Sequence, residues 1–124
     1  MNIHNKNLSP ESLQVLKFGE TEYPFTGRYL YHDKSGMYVC ANCQSPLFSS
    51  DAKYDKGCGW PAFNDIVSSD AVELKSDTSH GMIRTEVICK NCAGHLGHVF
   101  DDRSQPTGQW FCINSAALGF EEKD

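Results

Sequence analysis

The chain has no long apolar run, no basic stripe and no low-complexity tract, and each absence removes a class of function. No stretch approaches the roughly 20 apolar residues that a membrane-crossing helix needs. The first ten residues, Met1-Asn-Ile-His-Asn-Lys-Asn-Leu-Ser-Pro10, lack the apolar segment of a secretory leader. Nothing reads as a polybasic or amphipathic membrane anchor. Lysine and arginine are scattered, and a net charge of −5 opposes a nucleic-acid partner. These absences predict a reducing, cytoplasmic setting without membrane or nucleic acid.

What the chain does carry is cysteine in a telling arrangement. Cys40 and Cys43 form one Cys-x-x-Cys pair, Cys89 and Cys92 a second, and Cys58 and Cys112 stand alone. A two-residue gap lets one tight turn present two sulfurs to the same ion, and a tetrahedral zinc site takes four thiolates. Forty-five residues separate Cys43 from Cys89, so a shared metal would tie two distant turns together. One such pair could be a redox dithiol; two, each shaped like a ribbon turn, predict one structural zinc. A disulfide framework would require an oxidising compartment, which the N-terminus does not indicate.

With 124 residues the chain is expected to form a single domain, residues 1–124. Its 40% hydrophobic content suffices for a core without being generous. Metal binding would therefore add usefully to folding, since such a site does not exist in the unfolded chain.

Ser9-Pro10 supplies an N-cap followed by proline at the first helical position, and Gly19 supplies a stop. Residues 9–18 read as a short helix, and residues 1–8 read as loose. From residue 28 the pattern turns to short strands. Gly36–Cys40 enters the first cysteine turn and Pro46–Phe48 leaves it. Ala71–Lys75 alternates, and Met82–Ile88 is rich in β-branched residues. His98–Phe100 and Gln109–Ser115 read as further strands. The expected fold is mainly β and antiparallel, with a short N-terminal helix and its hairpin tips joined by zinc.

The lone thiols are candidates for chemistry. Strand alternation puts Trp110, Cys112 and Asn114 on one face, with Phe111 and Ile113 turned into packing. Taken alone, Cys112 reads first as an inert buried thiol, the common fate of free cysteine. Gly94-His95-Leu96-Gly97-His98 places two imidazoles three residues apart, on opposite faces of a straight strand. The glycines permit a bend that brings both to one site, where imidazole suits proton transfer. The histidines could also be zinc ligands, but four cysteines already fill a tetrahedron. Gly57-Cys58-Gly59 reads as a flexible loop whose thiol travels to meet another sulfur. Trp60 reads as a core aromatic or the wall of an apolar pocket.

Gly57-Cys-Gly-Trp-Pro-Ala-Phe63, Ser79-His-Gly-Met-Ile-Arg-Thr-Glu-Val87, Gly94-His-Leu-Gly-His-Val-Phe100 and Phe111-Cys-Ile-Asn-Ser-Ala116 resemble, in order, the signature segments of the B-type methionine sulfoxide reductases. With the cysteine turns and Leu8-Ser-Pro-Glu11, the likeness covers about residues 8–120. It implies two antiparallel sheets in a β-tent, a four-cysteine zinc site, and reduction of the R epimer of methionine sulfoxide, free or in oxidised proteins. Cys112 resembles the attacking cysteine and Cys58 the resolving cysteine. Trp60 resembles the indole against the substrate methyl group, with Phe100 beside it in the substrate pocket. His95, His98 and Asn114 resemble polar active-site positions, and Asp102 a nearby carboxylate. The family implies a Cys112 sulfenic acid, a Cys58–Cys112 disulfide and recycling by thioredoxin, in the service of protein repair under oxidative stress. A monomer is expected.

One position departs. The family usually carries arginine two residues before the attacking cysteine, and here Trp110 stands, so any such charge must come from elsewhere. Arg84 and Arg103 are the sequence candidates. Two other readings stay open on the sequence: a zinc-ribbon protein-binding module without catalysis, and a thiol oxidoreductase acting through a Cys-x-x-Cys pair.

Overall fold

The computed structural model describes residues 1–123. One α-helix, α1 (Pro10–Leu16), precedes nine strands: β1 (Gly36–Cys40), β2 (Pro46–Ser49), β3 (Lys53–Tyr54), β4 (Ala62–Phe63), β5 (Val72–Asp77), β6 (Arg84–Cys89), β7 (His95–Asp101), β8 (Gln109–Ile113) and β9 (Leu118–Glu122). They form a three-stranded sheet in the order β2-β1-β9 and a six-stranded sheet in the order β3-β4-β8-β7-β6-β5. All described pairings are antiparallel. The expected mainly β, two-sheet architecture is what the chain adopts. No helix among the described residues is long and apolar enough to cross a membrane.

The Ser9 hydroxyl accepts the Ser12 N–H at 3.1 Å, capping α1 as the Ser-Pro pair predicts. Gly19, at φ +72°, takes the left-handed turn that carries the chain away. Val15 and Leu16 are buried against β7 and the turn at Ser115–Ala117. The sheets meet through aromatics. Phe48 of β2 stacks on Phe63 of β4 with ring centroids 4.3 Å apart, and Phe111 of β8 closes the cluster. This places the aromatic cluster behind the face of β8 that carries Cys112.

Three features depart from the sequence reading. The strand β9 was not foreseen, because Leu118-Gly-Phe-Glu-Glu has weak β-propensity; its pairing with β1 supplies what local preference does not. β3 and β4, two residues each, exist only by pairing. Residues 1–8 are not free: the Asn42 Oδ1 accepts the His4 and Asn5 N–H groups at 2.8 and 3.1 Å. Asn42 Nδ2 donates to the Asn2 carbonyl at 2.7 Å, and the Asn2 N–H reaches the Cys92 carbonyl. The N-terminal segment is thus stitched to the first cysteine turn by the buried Asn42 side chain and to the second by the Asn2 N–H. Asn42→Ala should leave those backbone groups unpaired, costing about 1–3 kcal/mol, and thermal melting should show a fall of about 5 °C or more.

Candidate active site

The four paired cysteines come together. Their sulfurs all lie within 4.8 Å of one another, with Cys40–Cys92 at 3.7 Å and Cys43–Cys89 at 3.5 Å. A zinc–sulfur bond of about 2.3 Å puts neighbouring sulfurs of a tetrahedron about 3.8 Å apart, so the donor set fits such an ion. Electrostatics agree. The hydrogen bond from Cys40 draws the Cys89 thiol down to about 5, while that same contact and then burial push Cys40 far up. Cys89 ionises readily while Cys40 and Cys92 resist, a repulsion that a divalent cation would remove. Neither Cys-x-x-Cys pair stands alone as a dithiol, since each is drawn into this one cluster.

The lone thiols meet elsewhere. β4 pairs with β8 so that Ala62 faces Cys112, and the turn before β4 brings Cys58 back over the sheet. The Cys58 and Cys112 sulfurs are 3.9 Å apart. Gly59, at φ +95°, packs against Pro24, and Cys58 stands within reach of its partner in this structure. As a thiol, Cys58 donates to the Trp60 carbonyl at 3.3 Å. A proton shared between two such sulfurs makes one ionisation easy and the second hard. The Cys112 hydrogen bond, helped by backbone N–H groups and the Trp110 side chain, lowers Cys58 to about 6. Cys112 is pushed far up, first by the Cys58 contact and then by burial. Within the pair this contact favours ionisation of Cys58 over that of the more buried Cys112.

Around the pair opens a cavity of about 150 Å³. Trp60, Phe100 and Trp110 wall it, and His98, Arg84 and Asn114 add polar groups. The alternation of β8 holds, with Phe111 and Ile113 buried and Trp110, Cys112 and Asn114 turned to the cavity. Trp60 is held by its indole N–H, which donates to the Glu22 carbonyl at 3.0 Å. Asn114 accepts the Glu22 N–H and donates Nδ2 to the Leu96 carbonyl, both at 3.0 Å, so it pins the segment around Glu22 to β7.

The two histidines share a face through a β-bulge rather than a glycine kink. Val87 pairs with Gly97 but Ile88 pairs with His95, so Leu96 is the extra residue and resets the alternation. The rings stand 5.5 Å apart, edge to face. Gly97 serves a different purpose, since a Cβ there would collide with the Cys112 carbonyl of β8. His98 lines the cavity; its Nε2 meets Asp77 Oδ2 at 2.8 Å. His95 sits behind it, buried, with Nδ1 against Glu86 Oε2 at 2.6 Å. Burial, more than that carboxylate can offset, lowers the His95 pKa. Asp77 is held well below the usual carboxylate range, first by His98 and then by Ser79.

Asp102 is not among the cavity-lining residues. Its carboxylate accepts Tyr54 and Lys56 at 2.9 Å each and caps Ser104, an arrangement that holds it low. Of the two sequence candidates for a cation, Arg84 lines the cavity, where it pairs with Asp77 at 3.4 Å; Arg103 does not. Sequence reasoning missed Asp77, Glu86, Glu22 and Lys56 as partners of the site. Only Asp77 and Glu86 carried a signal, as acidic residues flanking a quoted motif or within it.

The sequence matches the SelR domain family over residues 8–122. The peptide methionine sulfoxide reductase MsrB of Thiobacillus denitrificans is 52% identical over 117 residues, covering 94% of this chain and 89% of that protein. The protein of the same name from Bradyrhizobium diazoefficiens is 53% identical over 118 residues, covering 95% and 85%. That from Methanosarcina mazei is 50% identical over 117 residues, covering 94% and 84%. A zinc-bearing binding module would have no use for a shared-proton thiol pair set beside a carboxylate-held imidazole. Family match, relatives and cavity chemistry converge, and the chain belongs to the SelR-domain family, as a methionine sulfoxide reductase of the B type.

Proposed function

We propose that the chain, acting as a single domain, reduces the R epimer of methionine sulfoxide, free or in oxidised proteins. The observation that carries this is the 3.9 Å approach of Cys58 and Cys112 inside an aromatic-walled cavity that also presents His98. A cavity of about 150 Å³ has room for one short side chain, and Trp60 and Phe100 offer apolar surface to its methyl group.

In this reading the Cys112 sulfur attacks the sulfoxide sulfur as its proton passes to the Cys58 sulfur 3.9 Å away. Sulfoxide oxygen leaves poorly unless protonated, so an acid is required. His98, which lines the cavity, supplies it in this reading. Asp77, kept anionic, holds the Nε2 side, so Nδ1 is the side from which a proton is delivered. His95, lowered in pKa by its burial and outside the cavity lining, positions His98. Methionine departs two electrons richer, and Cys112 retains the oxygen as a sulfenic acid. The Cys58 sulfur then bonds to the Cys112 sulfur, water leaves with the oxygen, and a disulfide remains. An external dithiol protein of the thioredoxin kind restores both thiols by exchange, completing a cycle suited to cytoplasmic protein repair. Cys40, Cys43, Cys89 and Cys92 would hold one zinc ion whose part is structural, since four protein sulfurs leave it no open position.

Assaying each sulfoxide epimer separately with dithiothreitol tests the reading. Methionine should accumulate from the R epimer alone; equal turnover of the S epimer would overturn the stereochemical assignment.

A further inference from the structure

Cys58 stands within residues 55–60, which belong to no strand. The sheet takes hold at Pro61, whose carbonyl accepts the Ile113 N–H at 3.0 Å. Between the thiol and that point, the loop is held from outside the sheet by the strap of residues 22–25. The Gly59 carbonyl accepts the Phe25 N–H at 2.7 Å, and the Glu22 carbonyl accepts the Trp60 indole N–H at 3.0 Å. Pro24 packs so closely that a Cβ on Gly59 would stand 2.7 Å from the proline Cβ. Phe25 meets this contact at φ +65°, a left-handed backbone that a bulky residue adopts only where its surroundings enforce it.

The strap is fastened in turn to the end of β8, and Glu22 is the point of attachment. Its N–H donates to Asn114 Oδ1 at 3.0 Å, and its Oε1 accepts the Ala116 N–H at 2.8 Å. Further along, the Tyr29 N–H donates to Ser115 Oγ at 3.2 Å. A Cβ on Gly27 would collide with the Glu22 carboxylate and Ser115, so the chain passes close there. Asn114 and Ser115 are buried, which shields these bonds from water. A circuit results: Cys112 to Asn114 along the chain, Asn114 to Glu22, Glu22 to Trp60, and Trp60 back to Cys58. The two thiols are joined through this strap as well as through the pairing of β4 with β8.

We infer that Glu22 is a positioning residue for disulfide closure: by fastening residues 22–25 to the turn after β8, it holds the Cys58 loop over Cys112. The inference deepens the reading of Cys58 as the resolving thiol and rests on it. A thiol fixed near its partner meets it at an effective concentration far above that of any free thiol. With the strap loosened the sulfurs still belong to one chain, but the loop samples more arrangements, few of which close the bond. Glu22 acts through Gly59 and Trp60 rather than on either sulfur.

The test is the equilibrium between the reduced chain and its Cys58–Cys112 disulfide in glutathione buffers, read by peptide mass. The two thiols give two electrons and two protons to oxidised glutathione, which leaves as two glutathione thiols. Stability lost equally by the reduced and oxidised chains cancels from this equilibrium, so a merely structural glutamate would not move it. Glu22→Ala should lower the constant for disulfide formation about tenfold, a shift of about 30 mV towards easier reduction. Glu22→Gln keeps an oxygen for the Ala116 N–H and should hold the constant within about twofold of the parent. An unmoved constant in Glu22→Ala overturns the proposal, and so does a glutamine variant that shifts as far as alanine. Should Glu22→Ala fail to fold, Gly59→Ala carries the same test, because its Cβ drives the loop off Pro24. An unmoved constant there overturns the proposal equally. A parent that forms no Cys58–Cys112 disulfide fails the resolving role itself, a result distinct from a parent that forms it and variants that match it.

Discussion

Cys112→Ser should abolish methionine release, by about a thousandfold or more, because a hydroxyl cannot replace the sulfur nucleophile that takes up the oxygen. Cys58→Ser should behave differently. With substrate in excess and no reductant, it should release about one methionine per enzyme and then stop at the oxidised Cys112. Turnover supported by thioredoxin should collapse, since the partner sulfur 3.9 Å away has been removed. Rapid-quench measurement of methionine with and without reductant distinguishes the two variants. Full thioredoxin-linked activity in Cys58→Ser would transfer the resolving role to another group. The difference between the variants is informative because both thiols sit in one cavity, 3.9 Å apart, yet only one is asked to meet the sulfoxide.

The second large effect concerns the metal. Cys89→Ser should lower zinc content and melting temperature together, the latter by more than about 10 °C. Cys89 ends β6 and Cys40 ends β1, so the cluster couples the six-stranded sheet to the three-stranded one. Losing one sulfur leaves three donors for a tetrahedral ion and frees the N-terminal segment stitched over the turns through Asn42. Zinc is measured by atomic absorption on the purified variant, and stability by calorimetry on the same sample. Full metal retention with an unchanged melting temperature would refute the four-sulfur assignment.

Much of the site could be read along the chain because the relevant spacing is local. Two Cys-x-x-Cys turns announce a clamp, since a two-residue gap nearly fixes how two sulfurs are presented. Gly36–Cys40 is a strand in the sequence and in the structure with the same bounds. Period-2 alternation alone turned Trp110, Cys112 and Asn114 to one face. The family resemblance added roles that no periodicity could supply. The bulge at Leu96 was not legible, because it depends on the register of β6 against β7 rather than on any feature of Gly94–His98.

What sequence by itself determined was which chemistry the chain can perform: four sulfurs for an ion, two lone thiols, two imidazoles and an aromatic wall. What only the tertiary structure decided was which groups act on which. Cys58 and Cys112 lie 54 positions apart, and His98 and Asp77 lie 21 apart. Lys56 stands on Trp110, and Glu22 reaches both Trp60 and Asn114. Such contacts follow from strand order, and strand order follows from the collective burial of Phe48, Phe63, Phe111 and their neighbours. Covalent spacing presents side chains a few residues apart without help from the rest of the fold. Electrostatic coupling between distant side chains exists only after a core has formed that brings them within ångströms and excludes water.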